Sequence, residues 1–125
     1  MMMPKYIEDD IVKYNDKIMV IKEPRDGSHF DLFCPQEGSV YCLVDVEEIK
    51  PIPITSEILE KNGWMLYRIF YRFISKECLK LRLLKFDNYS WDACIGGNVI
   101  RINMCSVSDL QHLLFGLGLN SEMEV

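Results

Sequence analysis

Tyr89-Ser90-Trp91-Asp92-Ala93-Cys94-Ile95-Gly96-Gly97-Asn98-Val99-Ile100-Arg101-Ile102-Asn103-Met104, residues 89–104, is the stretch that decides the architecture. Two consecutive glycines between two runs rich in strand-forming residues read as a two-residue hairpin turn. Joining Tyr89–Ile95 to Asn98–Met104 through that turn predicts the pairs Ala93–Ile100, Trp91–Ile102 and Tyr89–Met104 on one face. Asp92–Arg101 and Ser90–Asn103 then meet on the other, so apolar partners sort to one side and polar partners to the opposite side. A sheet with one apolar face has to be covered by another element. The following residues supply it. Ser106 caps a helix, with Asp109 three positions on as an approximate capping box. Val107, Leu110, Leu113, Leu114 and Leu117 form one stripe, and Gly116 and Gly118 end the helix ahead of an acidic tail, Asn120 to Val125.

Reading upstream, Met65, Tyr67, Ile69, Tyr71 and Phe73 alternate through Trp64–Ile74, which predicts one strand with its odd positions buried. From Cys78 the apolar positions run Leu79, Leu81 and Leu83, then slip to Leu84 and Phe86, as a bulge would produce. Thr55 is placed to cap a short helix over Ser56–Asn62, with Gly63 as its stop. Before it, Ile11–Tyr14 and Lys17–Lys22 flank the turn Asn15-Asp16, and Pro24 to Ser28 has the composition of a loop. Phe30–Cys34 and Ser39–Val44 flank Pro35 to Gly38, and Ile49–Ile54, with prolines at alternate positions, is a short edge strand or an extended connector. Several short strands within about 50 residues suggest closure into a small barrel, which removes exposed edges. The expected fold class is α+β: an SH3-like β-barrel over 1–54, packed on a 55–125 unit of short helix, antiparallel sheet and one covering C-terminal helix.

The 125 residues are 49% hydrophobic and 26% charged, which is the balance of a globular chain. No apolar run approaches the roughly 20 residues that span a bilayer. Met1 to Asp10 carries Glu8, Asp9 and Asp10 where a signal peptide would carry an apolar core, so the expectation is a cytoplasmic protein without a membrane partner. The five cysteines are odd in number and lack a C-x-x-C pair. In the hairpin around Pro35 to Gly38, Asp31 would face Cys42, which sends Cys34 and Cys42 to opposite faces and leaves free thiols.

The net charge of −5 is unevenly spread. Residues 1–63 hold 7 basic and 13 acidic side chains, residues 64–105 hold 7 and 3, and residues 106–125 hold none and 3. A basic middle segment in an acidic chain is the feature that points most clearly to function. Arg68, Arg72, Lys80 and Arg82 are interleaved there with aromatics, a pattern that can neutralise phosphates and stack bases, and they are the candidate nucleic-acid or anion contacts. The plainer reading is an exposed sheet face whose long basic side chains cover apolar surface and pair with the acidic first half.

Phe115, off the leucine stripe, and His112, with Asp109 three residues before it, are candidate contacts for a protein partner or a second copy of the chain. A solvated helix histidine beside an acid is common, and no nucleophile motif accompanies this one. Cys78, Cys94, Cys105, His29 and His112 lack ligand-type spacing. Gly96-Gly97 and Gly116-x-Gly118 are a hairpin turn and a helix stop, since neither follows a strand and opens a helix as a phosphate cradle requires. No catalytic, cofactor-binding or metal-binding residue is assigned, no cofactor is expected, and the chain reads as no enzyme.

Two stretches carry a resemblance: Ile49-Lys50-Pro51-Ile52-Pro53-Ile54-Thr55-Ser56-Glu57-Ile58-Leu59-Glu60-Lys61-Asn62-Gly63-Trp64 and Val107-Ser108-Asp109-Leu110-Gln111-His112-Leu113-Leu114-Phe115-Gly116-Leu117-Gly118. Together they resemble a family of short, uncharacterised proteins carried by prophages and mobile elements of Bacteroides-type gut bacteria. In that family a proline-alternating strand leads into a capped helix, aromatic-rich strands follow, and an L-Q-x-L helix closes the chain. The resemblance spans roughly residues 10–120 and departs at Ser108, where members of that family carry a histidine. It implies a source in a phage or mobile element and this architecture, and leaves function open; the absence of catalytic motifs and of ligand-type spacing is what points to an accessory or interaction protein. Asp10-Ile11-Val12-Lys13-Tyr14-Asn15-Asp16-Lys17 and the strand spacing around it resemble SH3-like barrels.

Overall fold

A computed structural model describes residues 6–67, 70–73, 80–87 and 90–125. The chain is α+β and divides into two compact units, 1–52 and 53–125. Each holds one antiparallel sheet, and neither sheet is closed as a barrel.

The first unit is a four-stranded meander of β1 (Ile11–Tyr14), β2 (Lys17–Asp26), β3 (His29–Cys34) and β4 (Ser39–Asp45). Asn15 and Asp16 both take positive φ, 52° and 60°, the geometry that joins two strands with two residues. β2 runs past the expected end at Lys22 and takes in Pro24, which pairs with Phe30. It can do so because the ladder slips between Ile21 and Glu23 and again between Pro24 and Asp26, and such bulges tolerate proline. The turn shrinks to Gly27-Ser28, where Asp26 Oδ1 accepts hydrogen bonds from the backbone amides of Ser28 (2.8 Å) and His29 (3.0 Å). The core holds Tyr6, Val12, Met19, Ile21, Phe30, Leu32, Cys34, Val44, Val46 and Ile49. After a 3-10 turn, Val46–Glu48, Lys50 exchanges two backbone hydrogen bonds of 2.8 Å with Lys13 of β1.

One correction to the expected pairing lies in β3–β4. Leu32 pairs with Tyr41 and Phe30 with Val44, so Asp31 does not face Cys42. The slip sits at Leu43, whose φ is +54°. Asp31 fills the gap in the ladder. Its Oδ1 accepts the Leu43 amide at 3.0 Å, and its Oδ2 accepts Arg25 Nε at 2.8 Å and pairs with the terminal guanidinium nitrogen at 2.6 Å. Cys34 is buried and Cys42 exposed, and both are free thiols.

The Arg25 guanidinium, and after it the Leu43 amide, hold the Asp31 carboxyl below its ordinary value of 3.8. Stability drawn from these bonds is complete above that ordinary value and is lost as the pH falls through the lowered folded value. The melting temperature is therefore expected to fall on acidification below roughly pH 4. Asp26, lowered to about 2 first by the Ser28 amide, and Glu37, lowered to about 2 first by Lys17, share that window. Asp31→Asn should melt lower at neutral pH and lose melting temperature less steeply on acidification. Equal slopes in calorimetry of the two proteins would remove Asp31 from this account.

The second unit opens with an extended connector, bridged at Pro53 to Ser106, and with α1 (Ser56–Lys61). Thr55 Oγ1 accepts the Ile58 amide at 3.2 Å, and Gly63 turns the chain out at φ 87°. The sheet is a five-stranded meander of β5 (Trp64–Tyr67), β6 (Phe70–Phe73), β7 (Leu81–Lys85), β8 (Trp91–Ile95) and β9 (Asn98–Met104). It is followed by α2 (Val107–Gly116), whose Ser106 and Asp109 form a reciprocal capping box. Leu59 of α1 and Leu110, Leu113 and Leu114 of α2 pack with Trp64, Tyr71, Leu81, Leu83, Trp91, Ala93 and Met104 of the sheet. The tail joins this core through Leu119 and Met123 and is tied by a pair of hydrogen bonds between the Asn62 side chain and the Glu124 backbone, 2.7 and 2.8 Å.

Three expectations are overturned in this unit. Trp64–Ile74 is not one strand: Tyr67 pairs with Phe70, so the chain reverses between them. Side-chain parity then inverts, leaving Met65 59% and Tyr67 48% exposed while Trp64 and Tyr71 are buried. β7 pairs with β8 in one unbroken register from Leu81–Ile95 to Lys85–Trp91, so no bulge lies at Leu84, and Phe86 falls beyond the strand. The glycine hairpin forms at Gly96-Gly97, but its ladder slips twice, so Ala93 faces Arg101 and Trp91 faces Met104. Asn103 takes φ 57° at the second slip, and Asp92 Oδ1 accepts its amide at 3.2 Å. Ile100 and Ile102 stay exposed as a result. Tyr89, expected to face Met104, lies outside the described residues.

Candidate binding face

Strand pairing sorts the second sheet into two faces. The covered face carries the core. On the open face, one row runs across five strands as Met65, Arg72, Arg82, Cys94 and Val99, each paired with the next. A second row runs Tyr67, Phe70, Leu84 and Asp92. Two arginines therefore stand directly opposite each other on adjacent strands, where like charges repel.

What holds them is aromatic. The Arg72 guanidinium carbon lies 5.4 Å from the centre of the Tyr67 ring, and that of Arg82 lies 4.6 Å from the centre of Phe70. The two rings meet each other at 5.6 Å. Each cation–π contact is worth roughly 0.5–1 kcal/mol at an exposed site, about the size of the like-charge penalty it offsets. Among the described residues neither guanidinium has an ion-pair or hydrogen-bond partner. The acid on this face, Asp92, turns an oxygen to the Asn103 amide. Within the first unit, Glu37 holds Lys17 and Asp31 holds Arg25.

No family model, curated protein or solved structure matches this chain. The reading of the site therefore rests on its geometry.

The other residues singled out by sequence are spread more widely. Arg68 and Cys78 lie outside the described residues. Lys80 is exposed, takes φ 60° and precedes β7, so it is not part of the paired rows. Phe115 is 69% exposed near the end of α2, and His112 is half-buried one turn from Asp109. Asp109 uses its carboxylate at the helix start, where Oδ2 accepts the amides of Cys105 (2.9 Å) and Ser106 (3.2 Å). His29 Nδ1 lies 3.1 Å from Asp26 Oδ1 within a turn. Among the described residues no three His, Cys, Asp or Glu side chains converge as metal ligands would. Among the described residues no helix is long and apolar enough to cross a membrane.

Sequence reading missed Met65 and Tyr67, which it placed on the covered face. It also missed a cavity of about 340 Å³ in the first unit, lined by Lys13, Tyr14, Asn15, Asp16, Glu48 and Lys50. Its two lysines and two carboxylates give it no net preference for one sign of ligand.

Proposed function

We propose that this protein is a non-enzymatic accessory protein of a phage or mobile element, and that it works by binding through the open face of its second sheet. The observation that carries this is the pair of neighbouring rows holding Met65, Tyr67, Phe70, Arg72 and Arg82, where exposed apolar and aromatic area lies beside two cations that meet no acid among the described residues. Aromatic residues, methionine and arginine are the side chains enriched where proteins bind partners. The non-enzymatic reading is supported by the use made of three acids that lie beside a histidine or an arginine: Asp26, Asp31 and Asp109 each satisfy backbone amides. The assignment to a phage or mobile element rests on the resemblance of residues 49–64 and 107–118. We read the first unit as an SH3-like module, supported by four short meandering strands and a 3-10 turn that returns the chain to β1.

Site-specific photo-crosslinking in host cells carrying the element tests the assignment of the face. A photoreactive residue at position 65 should give discrete adducts that vanish when Tyr67→Asp is added. The same probe at Glu47, on the first unit, should not give them. Identical adducts from both positions, or none from position 65, would rule out this face.

A further inference from the structure

Resting on that reading of the open face, we infer that its ligand is a single-stranded nucleic acid whose phosphates are held by Arg72 and Arg82. The two guanidiniums stand opposite each other with Met65 and Cys94 as their flanking partners in the row. Among the described residues neither meets a counter-ion, so two adjacent cations stand there without an acid beside them. A polyanion would neutralise both cations at once. A guanidinium carries five N–H donors for oxygen acceptors, in the fork geometry that suits phosphate, and no described residue accepts from either arginine.

Charge alone would fit an acidic peptide equally well. The rings under the cations favour nucleic acid. A guanidinium held over a tyrosine or phenylalanine ring is a planar platform, and unpaired bases stack on guanidinium planes and on aromatic rings. Tyr67, Phe70, Arg72 and Arg82 make two such platforms side by side. A duplex buries its base faces and gains nothing from them, so the single strand is the form that fits. The acidity of the whole chain argues against non-specific adhesion to DNA. It does not remove the local field, because residues 64–105 hold 7 basic and 3 acidic side chains.

The test is fluorescence anisotropy of the full chain with a short mixed-sequence single-stranded RNA, the DNA of the same sequence, its duplex, and a poly-glutamate peptide of equal charge. Both single strands should bind more tightly than duplex or peptide, and the ratio of the two says which nucleic acid is preferred. Affinity should fall between about 50 and about 200 mM salt. Arg72→Gln and Arg82→Gln should each weaken binding about tenfold, and each should lower the salt slope by about 0.7. Both should keep the melting temperature of the wild type, because the cation–π contact and the like-charge repulsion are lost together. Arg82→Lys, which keeps the charge but loses the plane, should retain the salt slope and lose affinity.

Several outcomes overturn the inference: absence of binding to either single strand at low salt, peptide or duplex bound as tightly as single strand, or arginine variants that lose stability in step with binding. If oligonucleotides fail while the crosslink at position 65 persists, the face still binds and only the ligand class is wrong.

Discussion

Replacing Leu83 by alanine is expected to lower the unfolding free energy by about 3 kcal/mol, within the range of roughly 2–5 kcal/mol for large-to-small changes at fully buried sites. Leu83 has no exposed surface and sits on β7, the middle strand of five, where it faces Tyr71 on one side and Ala93 on the other. Neither neighbour can collapse into the space. Ala93 has no side chain to spare, and Tyr71 is held edge-on to Trp91 at 5.7 Å. The cavity persists, so its cost adds to the lost transfer energy. A small domain has only about 5–15 kcal/mol in total, so the change removes a large share. The measurement is convenient because the chain has two tryptophans, Trp64 and Trp91, and both are in this core. Urea unfolding followed by tryptophan fluorescence should show a lower midpoint with an unchanged slope. A loss under about 1 kcal/mol would mean that the sheet relaxes around the gap, against the packing described here.

Which parts of this architecture could be read from residues alone follows from how locally each is determined. The caps at Thr55 and Ser106, the turn at Asn15-Asp16 and the Gly96-Gly97 reversal each depend on a few adjacent residues with distinctive backbone chemistry. The ladder registers do not. In both sheets a buried or half-buried aspartate accepts the amide of a bulged residue, Asp31 for Leu43 and Asp92 for Asn103, and so replaces a missing rung of the ladder. An aspartate among alternating residues looks like an ordinary outward-facing side chain, so the slip it supports cannot be seen beforehand.

The reversal between Tyr67 and Phe70 was hidden for a related reason. Residues 68 and 69 are arginine and isoleucine, neither a turn former, and the apolar alternation runs straight through them. One unforeseen reversal changes the parity of everything before it. The basic segment was legible as a functional feature, and Arg72 and Arg82 do lie on one face. Their neighbours were misassigned: the open face presents Met65 and Tyr67 where uninterrupted alternation placed Leu66 and Arg68. Charge composition survives such an error, whereas the identity of a binding surface does not, because it depends on which residues the pairing brings side by side.

The last helix offers a sharper test of the same distinction between pattern and packing. Leu110 and Leu117 are seven residues apart on one predicted stripe, so periodicity treats them alike. The structure does not: Leu110 is fully buried, and Leu117, at the C-cap, is 38% exposed. Leu110→Ala is expected to cost about 3 kcal/mol and Leu117→Ala less than about 1 kcal/mol. The backbone argument points the same way. The Leu117 amide closes the helix onto the carbonyls of Leu113 and Leu114, at 3.1 and 3.2 Å, bonds that alanine keeps. Beyond it Gly118, at φ 74°, turns the chain so that Leu119 takes over as the core contact. Leu119→Ala should accordingly cost more than Leu117→Ala although it lies outside the helix. The same tryptophan-detected urea titration reads all three variants. Equal losses at 110 and 117 would show that the apolar stripe, and not the turn at Gly118, sets where the core ends.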